Sequence, residues 1–219
     1  MELSIIIVNY NTADLTLNCV NSIFENTHDV DFEVIVVDNK SVDNSKETIL
    51  DSSNPVVWVQ MSENGGTSRG YNAGVKAAQG KYVLILNSDT ILKDNSIGNS
   101  LIYHKHKEKS FKVGMTACQV RGFDNEIQFT SNTTFPSIKK YLFYTPFLYK
   151  LGIRPPKNMG LDERLELHKN EHEASWIGIA FGIINKSIFT EENVWFDEDI
   201  FMYSDEVDWC YRLHKRGYK

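Results

Sequence analysis

The chain has 219 residues, 42% hydrophobic and 24% charged, the makeup of a globular protein long enough to bury a sizeable core in one domain. A formal net charge of -6, with no stripe of lysine and arginine, argues against a nucleic-acid partner held by a broad basic face. Cys19, Cys118 and Cys210 are odd in number and lack metal-type spacing, so they read as reduced, buried thiols rather than a disulfide framework or a zinc site.

The first element is the isoleucine-rich run Leu3 to Val8, a strand, followed by the turn-prone Asn9-Tyr10-Asn11-Thr12 and a helix with Leu15, Cys19 and Ile23 at four-residue spacing. Phe32 to Val37 is a second strand ending at Asp38, and Ser41 suits the cap of a helix running to about Leu50. Val56 to Val59, Gly66 to Gln79 and Tyr82 to Leu86 read as strand, helix and strand. This β-α-β-α-β-α-β alternation specifies a parallel sheet with right-handed crossovers, whose strands all end on one edge. Asn9, Asp38 and Asp89 can converge there. Asp94 to about Lys107 predicts another helix, Val113 to Val120 a strand, Trp176 to Ile184 a strand and Asp205 to Arg216 a helix.

Three places could carry chemistry. The triplet Asn87-Ser88-Asp89 follows a strand buried on both faces, where open α/β sheets hold ligands, although all three residues are also good turn formers. Asn64-Gly65-Gly66 to Gly74, with Arg69 and Asn72, opens a helix whose unpaired N–H groups suit a phosphate, yet it lacks the dinucleotide-binding spacing. Asp205, Glu206 and Asp208 crowd a helix start: they complement the helix dipole, and the apolar Phe201 and Met202 beside them suit a carboxylate raised toward a general base. Asp208 and Arg212, four apart, can pair.

Between Asp124 and Glu173 the pattern dissolves into polar residues, prolines and the aromatic cluster Tyr141 to Tyr149 flanked by Lys139, Lys140 and Lys150. Such a cluster either covers a core or lies in a membrane interface. No run approaches the ~18 apolar residues of a membrane span, and the first residues open directly into a strand pattern without a basic n-region or cleavage site. A cytoplasmic location, with peripheral contact to the inner face of a membrane as the further option, is the expectation.

Taken in order, these motifs resemble glycosyltransferase family 2, and within it the rhamnosyltransferase-like branch. The resemblance rests on Ser4 to Asn11, Val37-Asp38-Asn39 with Ser41 and Asp43, Asn64-x-Gly66 to Gly80, Leu86 to Thr90, Phe196-Asp197-Glu198, and Phe201 to Arg212 with Gly217-Tyr218. It implies an α/β chain with a GT-A-type, Rossmann-like α/β/α sandwich around a mostly parallel sheet. It also implies one domain over 1–219, with a nucleotide-sugar half at 1–122 and an acceptor and catalytic half at 123–219.

By the same resemblance Asp89 holds Mg²⁺ or Mn²⁺ against the diphosphate of a UDP- or dTDP-linked sugar, with Asn87 and Ser88 beside it. Asn9, Tyr10 and Asp38 line the nucleoside pocket, Asn64 and Gly66 face the donor, and Arg69 lies near the diphosphate. Glu206 occupies the place of the base that deprotonates a saccharide or lipid-linked acceptor, giving inversion, and Asp205 is its rival because the family's Glu-Asp order is reversed here. Two departures stand out: Ile179 replaces a small residue after Trp176-Ile-Gly178, and relatives usually continue past Lys219, so the expectation is a catalytic fragment or a short member with a reduced acceptor site. The competing expectations are a non-catalytic nucleotide-sugar-binding module and a nucleotidyltransferase, whose glycine-rich basic loop is missing after the first strand.

Overall fold

The structure, a computed structural model, describes residues 1–137, 150–151 and 161–219. Its centre is a five-stranded sheet in the order β3-β2-β1-β4-β7, built from β1 (Leu3–Asn9), β2 (Phe32–Asp38), β3 (Val57–Gln60), β4 (Tyr82–Asn87) and β7 (Phe181–Asn185). The first four strands are parallel, and β7 returns antiparallel beside β4. Helices α1 (Ala13–Asn26), α2 (Ser45–Leu50) and α3 (Gly66–Ala77) are the crossovers, and α4 (Ser96–Glu108) follows β4.

Alternation within each strand divides the core between two layers. Leu3, Ile5 and Ile7 of β1 pack with Val34, Val36, Leu84 and Leu86 against Cys19, Val20 and Ile23 of α1 and Ile97 and Leu101 of α4. Ile6 faces the other way with Ile35, Val37, Val83 and Ile85, against Tyr71 and Val75 of α3. Side chains of this size each contribute about 1.5–3 kcal/mol when fully buried, which is why strands apolar at every position settle in the centre of a sheet covered on both faces. Helix α3 lies so close that a Cβ on Gly74 would come within 2.3 Å of Ile6 Cγ2.

The second layer is completed by α6 (Ser187–Thr190) and α7 (Asp205–His214), with Trp209 stacked on Phe189 and Phe196 at centroid distances of 5.5 and 5.1 Å. The remaining elements are α5 (Leu161–His168) and a two-stranded ribbon of β5 (Ser131–Asn132) and β6 (Trp176–Ile177).

Two expected strands differ. Val113 to Val120 forms no ladder: Thr116 bridges Ile183 alone, while the Gly114 N–H is taken by the Lys219 carbonyl and the Val120 carbonyl by Gln128. Backbone groups committed to loops and the chain end cannot extend a sheet edge. Trp176 to Ile184 is two strands in two sheets, separated at Gly178, whose N–H donates to the Thr130 carbonyl at 2.6 Å and whose carbonyl accepts from Ala180. Helix α2 also starts later than expected, at Ser45, because Ser41 is engaged elsewhere. The aromatic segment Tyr141 to Tyr149, with Lys139 and Lys140, lies outside the described residues. No described helix is long and apolar enough to cross a membrane.

Candidate active site

The parallel strands end together, as their shared direction requires. Asn9 and Asp38 are register partners at the last positions of β1 and β2, and the Asn9 amide donates to Asp38 at 2.8 Å and to the Ser41 hydroxyl at 3.0 Å. Asn9 Oδ1 accepts from Thr12 and Thr16 at 3.0 and 2.7 Å. Asp38 also accepts from the Ser41 N–H and from the Gln60 amide, at 2.9 and 2.7 Å. Burial works to raise the Asp38 carboxyl, but the hydrogen bonds from Ser41, Gln60 and Asn9 prevail and hold it below the usual range. Asn9 and Asp38 are both buried, so they form a braced floor under the strand ends.

Above that floor is a cavity of about 280 Å³ lined by Tyr10, Thr12, Asn39, Asn64, Gly66, Thr67, Tyr71, Asn87, Ser88, Asp89, Phe201 and Met202, among others. A larger cavity, about 700 Å³, lies behind α4, but its Glu171 and Glu173 are paired with Lys107 and Lys219. Asp89, in the wall of the smaller cavity, has no such ion pair among the described residues. Tyr71 is buried in its wall, and burial first, then the charges of Asp205, Glu206 and Asp89, drive its phenol well above the ordinary range. Asp89, in the turn after β4, and Asp205 and Glu206 at the start of α7 therefore all bear on one hydroxyl.

The acidic helix start is built under backbone tension. Tyr203 and Ser204, at φ 63° and 68°, are consecutive left-handed residues immediately before α7, and neither is glycine. Asp205 is buried and accepts from the Thr67 hydroxyl at 2.8 Å. Glu206 is half-buried; burial and a hydrogen bond with Asp205 push its carboxyl up to about 7. Asp208 is turned to Arg212, with Oδ2 2.8 Å from Nε and from Nη2. The neighbouring acids thus have separate duties, one anchored, one with a raised affinity for protons and one paired.

Three expectations about the donor side meet a different geometry. Of Asn9, Tyr10 and Asp38, only Tyr10 lines the cavity, because the other two spend their polar atoms on each other and on Ser41, Thr12, Thr16 and Gln60. The first N–H groups of α3 are occupied: Gly66 donates to Asn64 Oδ1 at 3.1 Å and Thr67 to the Phe201 carbonyl at 2.8 Å. Arg69 points to Glu63 at 2.9 Å and Glu198 at 3.9 Å and is not in the cavity wall. Asn64, Gly66, Asn87, Ser88 and Asp89 do line it.

The residue-level reading missed Asn39, Thr67 and Tyr71. Asn39 adjoins a residue already singled out; it lines the cavity, and its buried Oδ1 has no hydrogen-bond partner among the described residues. Thr67 and Tyr71 sit in a helix that reads as a plain glycine-rich segment.

The described residues gather no cluster of three metal-ligating side chains. A hard divalent cation needs fewer: one or two carboxylates with substrate phosphates and water complete its shell. Asp89 at the cavity, with no ion pair among the described residues, fits that requirement.

Comparison with known proteins adds a second line of observation. A model of the family described as Glycosyl transferase family 2 matches residues 4–165. Glycosyltransferase GlyG of Streptococcus pneumoniae is 32% identical over 114 residues, covering 51% of this chain and 37% of GlyG. A mannosyltransferase from Pyrobaculum calidifontis, solved in complex with GDP-Man and Mn²⁺, superposes with a TM-score of 0.67 at 16% identity over 100% of this chain and 53% of that one. S. aureus TarS in complex with UDP superposes with a TM-score of 0.58 at 18% identity, covering 96% and 55%. The chain therefore spans 37% of GlyG and little more than half of either solved chain.

Proposed function

The chain belongs to glycosyl transferase family 2 and has the GT-A fold, and from that premise we propose that it transfers a sugar from a UDP- or dTDP-linked donor to a hydroxyl of a saccharide or lipid-linked acceptor, with inversion. The observation that carries this reading is that Asp89, in the cavity wall, and the Asp205–Glu206 pair, joined to that wall through Thr67, all bear on the buried Tyr71. A carboxylate that grips a proton near neutral pH suits a general base, and Glu206 is the one so placed. It takes the proton of the attacking hydroxyl as that oxygen adds to the anomeric carbon from the face opposite the departing nucleoside diphosphate. Asp205, buried and anchored, is its support and not its rival.

On the donor side, Tyr10 offers an exposed ring for the base, and Asn39 an acceptor without a partner among the described residues for the nucleoside. Asp89, flanked by Asn87 and Ser88, would hold Mg²⁺ or Mn²⁺ together with the donor phosphates. When bound, the cation supplies charge for the leaving diphosphate. Residues 1–122 would serve the donor, and 123–219 would bring the base and receive the acceptor. A lipid-linked or surface-glycan acceptor would set the protein in the cytoplasm at the inner face of the membrane.

The test is to measure thermal shift and nucleotide release with UDP- and dTDP-sugars, with Mn²⁺ and with chelator. Metal-dependent stabilisation together with nucleoside diphosphate release is the expected result. Stabilisation without release against a broad acceptor panel would instead identify a nucleotide-sugar-binding module.

A further inference from the structure

Helix α3 begins against the segment that leads into α7, and the contact is made at three points. A Cβ on Gly66, at φ +78°, would lie 1.9 Å from the Phe201 carbonyl oxygen, so this junction admits only glycine. The Thr67 N–H donates to that same carbonyl at 2.8 Å. The Thr67 hydroxyl then reaches past it to Asp205 Oδ2, also at 2.8 Å, across 138 residues of sequence.

The first two contacts already clasp the backbone of the segment. The third differs in kind, because it ends on a carboxylate that hydrogen-bonds to Glu206. A hydroxyl that donates to a carboxylate favours the charged form. It also restrains the carboxylate's rotamer. Tyr203 and Ser204 hold left-handed conformations between the two anchor points, and such conformations persist where the surroundings determine them.

We propose that Thr67 is a positioning residue for the transfer reaction: its hydroxyl fixes Asp205, which in turn sets where Glu206 presents its carboxylate beside the donor cavity. The inference rests on the reading of Glu206 as the acceptor base. It links the two sides of the site, since Thr67 lines the donor cavity and also touches the acidic pair. The close approach at Gly66 and the Thr67 N–H bond survive any change of the Thr67 side chain; the hydroxyl also lies 3.4 Å from the Phe201 carbonyl, a weak contact beside its 2.8 Å bond, so its loss acts chiefly through Asp205.

The test uses the full chain with Thr67→Val, which keeps shape and loses the donor, and Thr67→Ser, which keeps the donor. Without substrate, ¹³C NMR of labelled glutamate follows the titration of Glu206. Thr67→Val is expected to move its midpoint by about half a unit or more, because Asp205 loses the bond that fixes it beside Glu206, and Thr67→Ser to leave it in place. Turnover of UDP-glucose, UDP-N-acetylglucosamine and GDP-mannose with Mn²⁺ should fall about tenfold in kcat for Thr67→Val with donor KM nearly unchanged, and recover in Thr67→Ser. An unmoved titration in Thr67→Val overturns the inference, whatever happens to turnover. Full turnover in Glu206→Gln would instead overturn the reading of Glu206 as base, so the two failures are distinct.

Discussion

Asn9 and Asp38 stand opposite each other at the ends of adjacent parallel strands, joined by a 2.8 Å hydrogen bond, and neither is open to the cavity. The pair ties the first two β-α turns together through Ser41, which also accepts from the Asn11 N–H at 2.8 Å. The cavity floor is therefore a closed polar network, and its members should behave as one unit.

Asn9→Ala removes a donor from Asp38 and the acceptor that Thr12 and Thr16 share, leaving their hydroxyls only the longer contacts to each other and to Ser88. The expected loss is about 2–4 kcal/mol, because buried groups left unsatisfied forfeit their full desolvation cost. Urea unfolding of Asn9→Ala beside wild type measures it, and a loss below about 1 kcal/mol would contradict the network.

Asp38 makes the same network sensitive to acid. Its carboxyl is held below the ordinary value in the folded chain, so its stabilising contribution is present above the unfolded value and disappears as pH falls through the folded one. Wild type should lose stability on acidification from neutral pH into that range. Asp38→Asn should start lower and show a shallower loss in denaturant titrations at matched pH.

Glu206 has the opposite sign. Its folded carboxyl is raised to about 7, so protonation favours the fold, and that contribution is lost as pH rises from the ordinary glutamate range through about 7. Activity should run the other way, climbing through about pH 7 as the base ionises. Glu206→Gln should cost at least about 100-fold in turnover and abolish that limb. UDP binding in the presence of Mn²⁺, measured by calorimetry, should be retained.

Asp89→Asn should separate metal from nucleotide. Wild type should gain thermal stability from UDP with Mn²⁺ and lose the gain when the metal is chelated. Asp89→Asn should show little difference between the two conditions, since the substitution removes the carboxylate offered to the cation. An undiminished Mn²⁺ effect in that variant would move the metal site elsewhere.

Gly66→Ala should be the most damaging small substitution at the site. It combines a left-handed φ of +78° with a Cβ 1.9 Å from the Phe201 carbonyl, so the chain must shift. Backbone strain alone is worth about 1–3 kcal/mol. Thermal unfolding gives the loss, and nucleotide-sugar turnover should drop with it as the Phe201 to Asp205 segment moves.

Much of this architecture is legible along the chain. Leu3 to Val8, Phe32 to Val37 and Tyr82 to Leu86 are apolar at nearly every position, which only a strand covered on both faces can satisfy, and parallel direction then forces Asn9, Asp38 and Asn87 to one rim. The acidic start of α7 was equally visible as a cluster of charge beyond the needs of a helix. Val113 to Val120 was misleading because strand-forming composition does not supply a free edge to pair with.

The local pattern of residues determined the layers, the strand ends and the candidate acids, since burial periodicity and side-chain chemistry are properties of short segments. Tertiary structure alone decided which acid is anchored and which is raised, and that Asn9 and Asp38 lie under the cavity and not in its wall. Those outcomes depend on partners such as Thr67, 138 residues from Asp205, and on the burial that their meeting creates. No spacing in the chain encodes a hydrogen bond between two such distant side chains; it exists only once the sheet has brought α3 and α7 together.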